Sequence, residues 1–280
     1  MDLQTLSNKQ TALQTKAFKD VSKGKLLVIA GPCVVEGETE LFEVAERVIG
    51  TCRDLDLPII FKASYRKANR SRIDSFTGIG DAEALALLGQ VKEKYGVKVI
   101  TDVHTAEEVS MAAEFVDVLQ IPAFLCRQTD LLVAAAKTGC TVNIKKGQFL
   151  SAESMIHAVH KVRNAGNEDV WVTERGTTFG HEDLIVDIRG IPVMRSFAPT
   201  VMDLTHSLQR PNQMSGVTGG TPNFIEPLGR AAVAAGVDAV FIETHPRPSE
   251  ALSDGANMLH LDDFAGLLKT LSKIHEVVRS

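Results

Sequence analysis

Lys62, Arg66, Lys67, Arg70 and Arg72 fall within eleven positions of FKASYRKANRSRIDS (residues 61–75), directly after an apolar run, Leu57 to Phe61, that reads as a buried strand. Small and polar residues separate the charges, and no apolar positions recur among them at helical spacing. The stretch therefore reads as a loop leaving a strand end with several cations on it. Such a loop suits phosphate or carboxylate, and a plain solvated basic loop is the alternative it leaves open. A second candidate set is Cys33, His206, Glu243 and Asp254. A thiolate, an imidazole and two carboxylates can surround one divalent metal and leave a position open for water or substrate. More than two hundred residues separate the first of these from the last. Only a fold that returns repeatedly to one rim could assemble them.

The elements that would position these residues alternate along the chain. Short β-type runs lie at Leu26–Ala30, Pro58–Ala63, Lys98–Val103, Val118–Pro122, Thr141–Ile144, Val170–Thr173, Pro199–Leu204 and Ala239–Ile242. Amphipathic segments of helical period lie between most of them: Glu40–Cys52, Asp81–Tyr95, Ala106–Phe115, Asp130–Lys137, Ala152–Asn164 and Glu226–Ala235. Gly96, Gly139, Gly166 and Gly236 stand shortly before strands, where a helix is expected to stop. Alternating units of this kind predict a parallel sheet, and eight of them predict an α/β fold of the (β/α)8 TIM-barrel type. The expected barrel domain is residues 25–280, and residues 1–24 form a short N-terminal extension that caps one end. A doubly wound sheet is the lesser reading, because no GxGxxG follows the first strand.

Barrels of this kind work at the C-terminal ends of their strands. There the sequence puts Cys33, then Lys62 with Lys67 and Arg70, Asp102 with His104, Gln120, Lys145 with Lys146, Glu174 with Arg175, Asp203 with His206, and Glu243 with His245. The opposite ends carry Gly, Pro and ordinary surface residues. This asymmetry points to an enzyme, and against a structural assembly protein or a catalytically dead sugar-phosphate sensor. Lys62, Lys67, Arg70, Arg127, Lys145 and Arg175 form a cationic subset able to hold two phosphate-type anions. Of Lys145 and Lys146, at most one can face the barrel interior. Several alternatives stay open. A strand-end lysine could be the Schiff-base nucleophile of a class I aldolase. Cys33 could be a small buried thiol in a Gly-Pro-Cys turn, and Asp254 a turn residue supporting the last loop. Asp102, His104 and His245 are candidates for proton transfer or hydroxyl contacts, unranked by spacing. Residues 207–223 read as a lid over the site or as a connector. The segment 183–194 reads as two short extended pieces around Gly190, and neither it nor His181 takes a catalytic role.

The net charge of −5 argues against a nucleic-acid partner and makes the basic loop a local feature. No apolar run approaches a membrane span and no signal-peptide pattern opens the chain, so a cytoplasmic location is expected. Cys33, Cys52, Cys126 and Cys140 show no CxxC pair and no disulfide-framework spacing, and are expected to be reduced.

GPCVVEG, FKASYRKANRS, TDVHT, LQIPAFLCRQTDL, NIKKGQF, TERGTTFG, DLTHSLQ, FIETHPRP and SDGANML, in this order, closely resemble the 3-deoxy-D-manno-octulosonate-8-phosphate synthases, over roughly residues 25 to 270. KANRS separates that family from the 3-deoxy-arabino-heptulosonate-7-phosphate synthases, which carry a KPRTS-type stretch and act on erythrose 4-phosphate. The resemblance implies a cytoplasmic homotetramer of barrels that condenses phosphoenolpyruvate with arabinose 5-phosphate and water for lipopolysaccharide inner-core sugar. It implies that Lys62, Lys67, Gln120, Lys145 and Arg175 hold phosphoenolpyruvate, and that Asn69, Arg70 and Ser71 hold the sugar phosphate. Arg127 would lie near a phosphate site, Asp102 would contact sugar hydroxyls, and Ser64 and Gln209 would join the substrate contacts. Cys33 in the Gly-Pro-Cys position, with SDGANM, implies the metal-dependent class. The ligands would be Cys33, His206, Glu243 and Asp254, for a divalent ion that the residues do not identify among zinc, iron, manganese and cobalt. Lys67, His206, Asp254 and Cys33 would be the catalytic group.

Overall fold

The computed structural model describes residues 15–69, 73–178, 183–210 and 219–279. Helix α1 (Lys16–Ser22) precedes eight parallel strands, β1 (Leu27–Gly31), β2 (Ile59–Lys62), β3 (Lys98–Asp102), β4 (Val118–Ile121), β5 (Thr141–Lys145), β6 (Val170–Glu174), β7 (Thr200–Asp203) and β8 (Ala239–His245). Each strand pairs with the next, and β8 returns to β1 in the register Leu27↔Ala239 through Gly31↔Glu243, which closes the sheet. A helix follows every strand: α2 (Glu38–Asp54), α3 (Asp81–Tyr95), α4 (Ala106–Ala113), α5 (Thr129–Lys137), α6 (Met155–Asn164), α7 (Gly190–Arg195), α8 (Ile225–Ala234) and α9 (Phe264–Arg279). The chain is thus the expected (β/α)8 barrel.

The two faces of each strand bury different neighbours, as the two-residue period of a strand requires. Leu27 and Ile29 of β1 point into the barrel with Ile60, Ile100, Val118, Trp171, Val201 and Phe241. Val28 and Ala30 point outward, into the larger core that the helices cover. The inner cluster lies toward the strand starts, and α1 closes that end. Thr15 caps α1 by accepting from the Phe18 amide at 3.2 Å and donates to Asp169 Oδ1 at 2.9 Å. Phe18 then meets Trp171 edge-on at 5.1 Å between ring centroids. The strand starts are filled with hydrocarbon, so space for a ligand remains at the strand ends.

Two local expectations are corrected. β8 runs on through Glu243, Thr244 and His245, past the expected end at Ile242, because Thr244 and His245 pair in parallel with Leu259 and His260. The segment 183–194 is extended only in its first half, where Ile185 bridges Thr177 in antiparallel fashion; from Gly190 it is helical. Pro192 sits in the first turn of α7, where a missing N–H costs nothing, so the β-branched residues around it do not keep the chain extended. Among the described residues no helix is long and apolar enough to cross a membrane.

Candidate active site

A cleft of about 550 Å3 opens at the strand ends. Its walls carry Cys33, Lys62, Ser64, Lys67, Asn69, Asp102, Lys145, Arg175, His206, Gln209 and Glu243, together with Arg66, His104, Phe124 and Gln148. The glycine before Pro32 has a steric purpose. A Cβ on Gly31 would stand 1.9 Å from the Lys62 carbonyl oxygen, so only glycine lets β1 and β2 approach where they deliver Cys33 and Lys62.

One side of the cleft holds the sulfur and carboxylate groups. Ligand atoms of Cys33, Glu243 and Asp254 all lie within 4.8 Å of one another. His206 Nε2 stands 3.5 Å from Glu243 Oε2 and 3.8 Å from Asp254 Oδ2. Glu243 Oε2 is buried without a hydrogen-bond partner among the described residues. A buried carboxylate oxygen with a lone pair unused, beside a thiol and an imidazole nitrogen, fits a divalent cation. The backbone aims Asp254 there: it takes left-handed φ of 50° and its carbonyl accepts from Asn257 N at 2.9 Å, starting a tight turn. Asp254 is thus both the turn residue and a side chain of the cluster.

Cations line the other side and reach into the cluster. Lys62, almost wholly buried, pairs with Glu243 and donates to the Cys33 carbonyl at 2.6 Å. Lys67 pairs with Asp254 and lies 3.3 Å from Cys33 Sγ. Lys145 Nζ is 2.8 Å from Asp203 Oδ2. Lys146 turns the opposite way, toward Glu174 at 3.3 Å and Thr177 Oγ1 at 2.9 Å, so of the lysine pair only Lys145 faces the cleft. Arg175 Nη2 donates to Gln209 Oε1 at 2.9 Å, and its buried Nη1 has no hydrogen-bond partner among the described residues.

Burial and charge set the protonation states. Burial pushes the Cys33 thiol up to about 12, with Glu243 and Asp254 adding to the effect against Lys67 and Lys62. Burial raises the Glu243 and Asp254 carboxyls too, but His206 and Lys62 near the first, and Lys67 and His206 near the second, outweigh it and hold both below the usual range. Burial lowers Lys67, yet Cys33 and Asp254 more than offset it, so this ammonium stays charged. Lys62 is likewise raised, by Glu243 and Cys33 against its burial. Asp102 is depressed by Lys62 and Lys145 despite its burial.

A buried polar chain runs beneath the cleft from strand to strand. Thr173 Oγ1 donates to Asn143 Oδ1 at 2.8 Å, Asn143 Nδ2 to Gln120 Oε1 at 3.0 Å, and Gln120 Nε2 to Asp102 Oδ1 at 2.8 Å. Ser64 donates to the other oxygen of Asp102. Gln120 is wholly buried at the base of the cleft, and one N–H of its amide goes to Asp102. Arg127 is exposed and also outside the lining. Arg70 and Ser71, with His181, lie outside the described residues, as do residues 211–218 of the suspected lid.

The sequence reading placed Asp203 on the rim without a particular role and did not name Asn143 or Glu108. Asp203 ends β7 and Asn143 is central in β5, where a polar residue between Val142 and Ile144 was the available signal. Glu108 accepts from Tyr65 Oη at 2.5 Å and from His104 N at 3.0 Å, and pairs with Arg66, fastening the basic loop to the start of α4.

The model of the DAHP synthetase I family matches residues 8–280. A protein of Koribacter versatilis named 2-dehydro-3-deoxyphosphooctonate aldolase is 54% identical over 265 residues, 93% of this chain and 95% of its own length. Proteins of that name from Geobacter metallireducens and Pelobacter propionicus are 52% and 51% identical, over 91% and 92% of this chain and 94% and 95% of theirs.

Proposed function

The chain belongs to the DAHP synthetase I family, and we propose that within it this enzyme joins phosphoenolpyruvate to arabinose 5-phosphate and water, releasing phosphate and 3-deoxy-D-manno-octulosonate 8-phosphate. That activity is the one its relatives are named for, under the alternative name 2-dehydro-3-deoxyphosphooctonate aldolase. The observation that carries the reading is the cleft itself, where Lys62, Lys67, Lys145 and Arg175 surround a thiol–carboxylate cluster beside Asp102 and Asn69. The reading also includes a cytoplasmic homotetramer supplying a lipopolysaccharide sugar. Phe149 and Ile185, 57% and 54% exposed around one outer groove, are surface an assembly would cover.

The substrates are both multiply charged anions that repel each other, so the first task is to bring them together. Lys62, Lys67, Lys145 and Arg175 hold the phosphate and carboxylate of phosphoenolpyruvate, with the free Nη1 of Arg175 available for a further contact. Asn69, with Arg70 and Ser71 of the same loop, takes the sugar phosphate, and Asp102 accepts from sugar hydroxyls. Carbon 3 of phosphoenolpyruvate attacks the aldehyde carbon, the aldehyde oxygen takes up a proton, and positive character develops at carbon 2. Water adds there and gives up a proton, and the hemiketal phosphate expels phosphate by carbon–oxygen cleavage. Cys33, His206, Glu243 and Asp254 would hold a divalent metal, which when bound supplies Lewis-acid polarisation of the water or the aldehyde oxygen. Lys67 remains an ammonium and acts as a fixed charge.

No Schiff base is involved. Borohydride should not trap substrate on Lys62 or Lys145, and a trapped adduct identified by peptide mass would restore the class I aldolase reading. Consumption of phosphoenolpyruvate should require arabinose 5-phosphate. Faster turnover with erythrose 4-phosphate would move the enzyme to the heptulosonate branch, which the names of its relatives do not favour.

A further inference from the structure

We propose that Asp203 is a positioning residue that couples the two halves of the site, steering His206 toward the metal and Lys145 toward the anionic substrate. The metal half of this inference rests on the reading given above. Asp203 is wholly buried at the end of β7. Its Oδ2 lies 2.8 Å from His206 Nδ1 and 2.8 Å from Lys145 Nζ. Its Oδ1 accepts from the backbone N–H of Thr205 at 3.0 Å and of His206 at 2.8 Å. The carboxylate is therefore gripped by its own following turn and cannot rotate without losing two backbone bonds.

The consequence for His206 is one of direction. Nδ1 lies 2.8 Å from Asp203 Oδ2 and 3.3 Å from Lys145 Nζ; the nearer carboxylate, itself paired with that ammonium, favours the tautomer with the proton on Nδ1. The lone pair then belongs to Nε2, which stands 3.5 Å from Glu243 Oε2 and 3.8 Å from Asp254 Oδ2. A carboxylate on the far ring nitrogen is the usual device for orienting a ligating imidazole. The consequence for Lys145 is one of place. Its ammonium stands over the Phe241 ring at 4.1 Å from the centroid, on the cleft side of the barrel. Among the described residues Asp203 is the carboxylate that pairs with it directly, while Asp102 acts on it from farther away. One oxygen thus serves a metal ligand and a substrate cation together.

Asp203→Asn tests this, because the amide keeps the volume but can accept only through one atom. Binding of Co2+ would be followed by the thiolate-to-cobalt absorption from Cys33, and the KM for phosphoenolpyruvate measured separately. The variant should bind Co2+ roughly ten- to a hundred-fold more weakly and show a raised KM. Lys145→Met, with Asp203 intact, should raise the KM and leave the Co2+ affinity unchanged. Wild-type affinity and wild-type KM in folded Asp203→Asn would overturn the proposal. If the wild-type protein binds no Co2+, the metal reading fails, and the KM alone then decides the Lys145 arm. Should Asp203→Asn fail to fold, 15N spectra of histidine-labelled, Zn2+-loaded wild-type protein decide the His206 arm. A proton on Nδ1 and metal on Nε2 is expected; the reverse assignment would overturn it.

Discussion

Lys62 and Glu243 form an ion pair that is almost entirely removed from water, so the two side chains depend on each other. Replacing Lys62 by Met leaves the buried Glu243 carboxylate without the ammonium paired to it. A buried pair broken on one side costs about 3 kcal/mol or more. Urea unfolding of Lys62→Met should fall short of the wild type by that amount, and an unchanged midpoint would mean Glu243 is neutral in the fold. At this scale the sequence was informative about residue type but not about neighbours. Cys33, Lys62, Lys67, His206, Glu243 and Asp254 could be named from strand ends and motifs, and the barrel brings their side chains to one cleft. Gln120 could be named too, but not its direction. How such an inward polar side chain is oriented depends on partners one and two strands away, here Asn143 and Thr173.

The short pairing that follows β7 joins Gln209–Arg210 to Gly219–Gly220, with Gln209 opposite Gly220. Gly220 packs against Asn257, three residues beyond Asp254; a Cβ there would stand 1.6 Å from Asn257 Oδ1. Gly220→Ala must therefore move either Gln209, and with it the contact to Arg175, or the turn that carries Asp254. The expected result is loss of most activity with little change in unfolding midpoint, and recovery of part of it in Gly220→Ala/Asn257→Gly. A fully active Gly220→Ala would show that this packing does not constrain the cleft. The strands and most helices were legible because apolar runs and stop glycines mark them. The end of β8 was not, since Glu-Thr-His looks like loop until Leu259 and His260 are seen beside it. The β-branched residues of α7 gave the same kind of false signal.

At the strand starts, far from the cleft, α9 docks through His275, buried near Arg279, Asp238 and Arg195. Burial, with Arg279 adding, lowers His275 to about 4. The unfolded chain protonates this imidazole near its ordinary value of about 6.5, while the folded chain does not. Between those values the unfolded state binds more protons, so this residue makes stability fall as pH drops from 6.5 to 4. Thermal unfolding of His275→Gln should lose less stability than the wild type across that window, and parallel curves would contradict the assignment. His275 continues the apolar face of Phe264, Leu267, Leu268 and Leu271 at helical spacing, a signal of burial in the sequence that only the packing of α9 makes decisive.

The most direct test of the whole account is phosphate release from phosphoenolpyruvate and arabinose 5-phosphate before and after removal of metal, with metal content verified. The account predicts turnover that disappears on stripping, returns with a divalent ion, and does not return in Cys33→Ala. Turnover that survives verified stripping would contradict the metal role of Cys33, His206, Glu243 and Asp254, and absence of turnover with metal present would contradict the proposed reaction itself.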